Sequence, residues 1–90
     1  MPKFISIHQA PGVSQEEFQM NAKAVAEGKY ATPLQSFANL MEGFIVTYYE
    51  AASEDELVKE FERLGFPYQE IHEIQFMATG EDMKKMAGAH

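Results

Sequence analysis

The chain predicts an α+β sandwich in which four antiparallel strands carry two helices on one face. Three observations lead there: two serine-led capping signals, a short turn between two strand-like runs, and apolar alternation near both ends of the sequence. Ninety residues make one domain, and a chain of this size hides only roughly 60–65% of its unfolded surface on folding, so a partner subunit would add usefully to a small core.

Lys3-Phe-Ile-Ser-Ile-His8 alternates as a first strand and is stopped by Ala10-Pro-Gly12. Ser14-Gln-Glu-Glu17 reads as a capping box, with Val13 and Phe18 in the positions of a hydrophobic staple. A helix should therefore run from about Gln15 to Gly28, with Phe18, Ala22 and Val25 on its inner stripe. A second strand is expected within Leu34 to Leu40. Met41-Glu-Gly43 is short enough to be a hairpin connection into a third strand, Phe44 to Tyr49, which should pair with the second. Ser53-Glu-Asp-Glu56 repeats the capping logic, Leu57, Val58, Phe61 and Leu64 follow at helical spacing, and Gly65 supplies the stop. The last strand is expected from Glu70 to Ala78, so the domain occupies residues 1–78. Residues 79–90 form a small, polar, methionine-bearing tail. The order βαββαβ, with crossovers of the usual hand, closes most simply into a ferredoxin-like sandwich.

In that architecture the first strand lies between the third and the fourth. The register that buries most apolar side chains sets Ile5 opposite Phe76 and Ile7 opposite Ile74, all facing the helices beside Phe44, Val46 and Tyr48. Phe4, Ser6 and His8 then point to the uncovered face with Ile45, Thr47, Tyr49, Glu73, Gln75 and Met77, and His8 stands opposite Glu73. A face this apolar is expected to meet a second subunit or a ligand, which implies a homodimer in a dimeric α+β barrel arrangement.

Composition narrows the function. There is no cysteine, hence no disulfide framework, thiolate cluster or cysteine nucleophile. Seven basic residues are scattered among fourteen acidic ones, for a net charge of −7, which argues against a nucleic-acid partner. No apolar run approaches the ~20 residues of a membrane helix and no signal-peptide core precedes the first strand, so no membrane partner and a cytoplasmic location are expected.

His8, Glu73 and Tyr49 are the candidate ligand-binding residues, with His8 and Glu73 as candidate metal ligands. A histidine beside a carboxylate can hold a divalent ion such as nickel or zinc or tune a general base, but such a contact on a sheet is more often a structural hydrogen bond. His72 falls near Gln9 and Glu70 at the sheet edge on the helix side. Close His-x-His pairs are missing, so only a dimer could gather enough ligands. Tyr30 and Tyr48 read first as packing; Glu54, Asp55 and Glu56 read as favourable charges on the first turn of a helix. Met83 and Met86 with His90 have the pattern of soft copper ligands, but unbranched apolar residues in an amphipathic tail more often cover a neighbouring groove. Nothing resembles a phosphate loop, a nucleophile elbow or an HExxH helix.

Met1-Pro-Lys-Phe-Ile5, Pro11-Gly12, Tyr49-Glu-Ala51, Ser53-Glu-Asp-Glu, Gly65-Phe-Pro67 and Ile71-His-Glu-Ile74 together resemble a family of small bacterial ferredoxin-like proteins of otherwise unknown function, described as nickel-responsive or nickel-binding. The resemblance covers roughly the first 78 residues. It implies the fold, a dimer joined through or near the open sheet face, and binding rather than catalysis. The family's Trp-x-His-Ser-like segment corresponds to Leu34-Gln35-Ser36-Phe37, where Gln35 replaces the histidine with a poorer ligand for a borderline metal.

The leading expectation is thus a small non-enzymatic dimeric binding protein for a metal ion or small ligand. An enzyme of the dimeric α+β barrel type, monooxygenase- or isomerase-like, with its pocket on the open sheet face is the alternative, and a structural or regulatory interaction domain is the third.

Overall fold

The computed structural model of the protein describes residues 1–88. Its elements are β1 (Lys3–Gln9), α1 (Gln15–Ala26), β2 (Ala31–Asn39), β3 (Phe44–Ala51), α2 (Glu54–Leu64), β4 (Glu70–Glu73) and α3 (Gly80–Gly88). The sheet order is β2-β3-β1-β4, with antiparallel pairing between all neighbours. This is the ferredoxin-like arrangement that the element order implies, with a third helix added in the tail.

The local signals act as their chemistry dictates. Ser14 Oγ accepts the Glu17 amide at 3.1 Å while its hydroxyl donates to Glu17 Oε1 at 3.2 Å. Ser53 accepts the Glu56 amide in the same way, and Gly65 ends α2 at φ +71°, a left-handed conformation that costs glycine little. Gly43, at φ +69°, closes the β2–β3 hairpin. A Cβ there would lie 2.8 Å from the Pro11 backbone, because the hairpin packs against the β1–α1 turn and the Gly43 carbonyl accepts the Ala10 amide at 2.7 Å. β2 begins at Ala31, earlier than expected. It carries an irregularity between Pro33 and Gln35, at an edge strand where a residue without an N–H is tolerated.

The core comprises Phe4, Tyr49, Ala51, Leu57 and Phe61 with Ala31, and Val25, Phe66 and Ile71 pack against it. Phe61 meets the Tyr49 ring edge-to-face at 5.5 Å between centroids. α2 supplies the buried helical side chains, whereas α1 buries none completely.

Two expectations about the sheet are corrected. Phe4, Ser6 and His8 are the buried residues of β1 and lie on the helix side with Tyr49 and Ala51, while Ile5 and Ile7 face the open side with Val46 and Tyr48. The residues sort into the two faces as the alternation requires, but the helices cover the opposite face. Secondly, β4 pairs Ile5 with His72 and Ile7 with Glu70, four residues displaced from the expected register, and ends at Glu73. The displacement has its cause in the turn after α2, which contacts β1. The Gln69 amide donates to the Ile7 carbonyl at 2.7 Å and Pro67 is held by His8, so the strand entering from Gly65 is fixed beside the far end of β1.

Beyond β4 the chain crosses the open face. The Tyr48 hydroxyl donates to Met77 Sδ at 2.6 Å, and Ile74, Phe76 and Met77 line a groove there with Ile5, Phe37 and Val46. Phe76 is 89% exposed, Phe37 60% and Met77 61%. Residues 80–88 of the tail form α3, with Met83 and Met86 exposed; His90, considered above with these two methionines, lies outside the described residues.

Candidate functional site

α1 inclines its apolar stripe toward the sheet without closing on it, and the gap is a cavity of about 320 Å³. Phe18, Ala22 and Val25 form one wall, as their helical spacing predicts, and Ile45, Thr47 and Tyr49 of β3 form the floor. Phe61 of α2, Phe66 and Pro67 close one end, while exposed Leu34, Gln35 and Ser36 of β2 and Asn21 of α1 lie at its border with solvent. The volume falls at the lower end of the range of small-molecule sites, and the lining is mainly apolar with a few converging polar groups.

His8 is the centre of those polar groups. Only 7% exposed, it packs edge-on against Phe61 at 4.9 Å between ring centroids. The Pro67 carbonyl, 2.9 Å from Nδ1, can only accept, so Nδ1 carries the proton. Nε2 is then an acceptor and takes the hydroxyl hydrogen of Ser6 at 2.8 Å. Ser6 in turn is hydrogen-bonded to Thr47, whose Oγ1 is 3.4 Å from Nε2. Burial pushes the His8 pKa below its ordinary 6.5, with the Pro67 hydrogen bond opposing in part, so the ring is neutral at physiological pH. Desolvation first, and the nearby Glu60 carboxylate second, push the Tyr49 hydroxyl up to about 12 and keep it protonated.

A second polar cluster braces the site. The Glu60 side chain is completely buried, and its Oε1 accepts the Lys29 and Tyr30 amides at 3.2 and 3.0 Å. Arg63 closes a two-pronged pair on the same carboxylate, Nε at 3.1 Å and Nη2 at 2.7 Å. Burial alone would raise the Glu60 pKa, but Arg63 and the two amides outweigh it and hold it below the ordinary value. The loop that launches β2 is thereby tied to α2, immediately beside cavity residue Phe61.

His8 and Tyr49 thus share one cavity, on the helix side of the sheet and not on its open face. Glu73 is elsewhere: it is exposed and pairs with Phe4, four residues, or roughly 13 Å, along the strand from the position beside His8. The expected His8–Glu73 contact therefore does not form, and with both His8 nitrogens occupied the two residues do not fit a divalent metal within one chain. Among the described residues no group of three or more His, Asp or Glu side chains could hold an ion. His72 does meet Glu70, Nε2 to Oε1 at 2.8 Å, but on the open face with both side chains more than half exposed. Thr47 and Ser6 were legible as polar residues sharing the parity of His8; the Pro67 carbonyl, a backbone group, leaves no mark in the sequence. Among the described residues no helix is long and apolar enough to cross a membrane.

No family model matches the chain, and no curated protein matches it. Among solved structures, the crystal structure of SCO4226 from Streptomyces coelicolor A3(2) is similar: 24% identical, with a TM-score of 0.73, covering 84% of this chain and 99% of that one. At that identity the likeness shows the fold, a four-stranded antiparallel sheet with helices in a ferredoxin-like order.

Proposed function

We propose that this protein is a non-enzymatic small-ligand binding protein whose site is the cavity between α1 and the sheet. The observation that carries this reading is that the apolar stripe of α1, Phe18, Ala22 and Val25, borders about 320 Å³ of space and is nowhere fully buried, with only Val25 also reaching the core. Interiors are otherwise close-packed, and a helix leaves its stripe unburied at a cost in stability that a ligand would recover. Catalysis is less well supported. Ser6 is 0% exposed and cannot reach a substrate, and both nitrogens of His8 are committed to Ser6 and Pro67. The protein acts as a homodimer on this reading, joined through the open sheet face, where Phe37, Phe76 and Met77 expose apolar surface around a groove.

The test is amide chemical-shift mapping with a panel of uncharged aromatic fragments, alongside Ala22→Phe, which fills the cavity from the helix side. Shifts should cluster at Phe18, Ile45, Thr47 and Phe66 and vanish in the variant. Shifts confined to Ile5, Val46 and Tyr48, or none at all, would refute the assignment.

A further inference from the structure

We infer that the ligand of this cavity is an uncharged aromatic molecule of about two fused rings that carries one hydroxyl or N–H group and donates it to Thr47 Oγ1. This rests on the binding reading above and specifies its chemistry. Three features of the wall carry it.

The first is charge. No Asp, Glu, Lys or Arg lines the cavity. An ionised group seated inside would lose its hydration without finding a charged partner, which disfavours carboxylates, phosphates and amines there.

The second is the direction of the hydrogen-bond chain. Pro67 fixes the His8 proton on Nδ1, so Ser6 must donate to Nε2, and the Ser6 oxygen is left to accept from Thr47. The one hydroxyl hydrogen of Thr47 therefore points inward, toward Ser6, and its remaining lone pairs are what the residue offers the cavity. At Thr47 a ligand that presents a donor completes the chain, whereas an acceptor placed there meets a second acceptor.

The third is size and shape. A cavity of 150 Å³ accepts benzene, and this one is about twice that volume. Phe18, Tyr49, Phe61 and Phe66 supply ring faces and edges along its length.

The experiment is isothermal titration of the full chain near neutral pH with 2-naphthol, 2-methoxynaphthalene and 2-naphthoate, which share a ring system and differ in donor and charge. 2-Naphthol should bind roughly five- to tenfold more tightly than the ether, the factor one net hydrogen bond supplies, and 2-naphthoate should not saturate. Thr47→Val should remove the preference by weakening 2-naphthol alone, while Thr47→Ser, which keeps the hydroxyl, retains it; the folding of both variants is checked by thermal melts. Equal binding of 2-naphthol and the ether, equal loss of both in Thr47→Val, or tight binding of 2-naphthoate would overturn this inference and leave the cavity reading standing. Failure of every probe to bind would overturn both.

Discussion

Replacing Glu60 with alanine tests the frame that keeps the cavity open. The carboxylate is wholly buried and accepts four hydrogen bonds, from the Lys29 and Tyr30 amides and from two nitrogens of Arg63. Removing it leaves two backbone donors at the α1–β2 loop without their acceptor, at about 1 kcal/mol each. Arg63 has a 30% exposed side chain and rehydrates in part, so loss of its pairing adds about 1 kcal/mol more, for a total of about 3 kcal/mol. For a domain of this size that lowers Tm by roughly 12–24 °C. Urea unfolding followed by far-UV circular dichroism measures the loss directly, with an unchanged slope expected because the surface exposed on unfolding is nearly the same. A loss below about 1 kcal/mol would refute the reasoning, since it would mean that water replaces the carboxylate at all four donors.

Glu60→Gln separates charge from geometry. The amide keeps an acceptor for the backbone but loses the ion pair, so about half the destabilisation should remain. The pH dependence has a defined sign. The Glu60 pKa is held below 4.5 in the folded state, so its contribution is complete above the unfolded value and is lost as pH falls through the folded value. Glu60→Gln should therefore flatten the acid limb of the stability profile.

Three further outcomes follow from the site and its supports. Because burial lowers the His8 pKa below 6.5, the unfolded chain takes up a proton before the folded one, so His8 stabilises fully above about pH 6.5 and stability falls below it; His8→Asn should abolish that slope in urea titrations across pH 5 to 7.5. Gly43→Ala should destabilise by roughly 1–3 kcal/mol, measured by thermal unfolding, because the residue must hold φ +69° with its Cβ 2.8 Å from Pro11. Phe37→Asp should shift the sedimentation coefficient from dimer to monomer without lowering Tm of the isolated subunit; an unchanged coefficient would remove the open face from the proposed interface.

What could be read from the sequence was what short range decides. The serine caps at Ser14 and Ser53, the Gly65 stop and the Gly43 turn each depend on a few neighbouring backbone groups, and each is where the local chemistry places it. α3 departs from the small, polar tail that composition suggests, and its start is capped reciprocally by Thr79 and Asp82, amide to side chain, at 3.0 Å both ways. The β4 register depends on the contact between Pro67 and His8, far apart in sequence, and lies four residues from the pairing that apolar alternation favours.

The inverted sheet face has a more instructive cause. On β1 the two parities offer Ile5 and Ile7 against Phe4, Ser6 and His8, and counting apolar area favours the isoleucines as core. That count prices Ser6 and His8 as polar groups left bare, yet the burial cost of a hydroxyl or an imidazole is set by whether its partners exist. Here Thr47 is brought alongside Ser6 by β3 and Pro67 beside His8 by the turn after α2, so the chain of hydrogen bonds is complete and no buried side-chain nitrogen or oxygen among the described residues lacks a partner. Phe4 then packs opposite Tyr49, and the isoleucines are released to the face that the segment after β4 partly covers. A polar residue at a core parity is therefore better read as a demand for specific partners than as evidence of exposure. On the binding reading proposed above, the same network leaves the lone pairs of Thr47 as the acceptor that it turns toward the cavity.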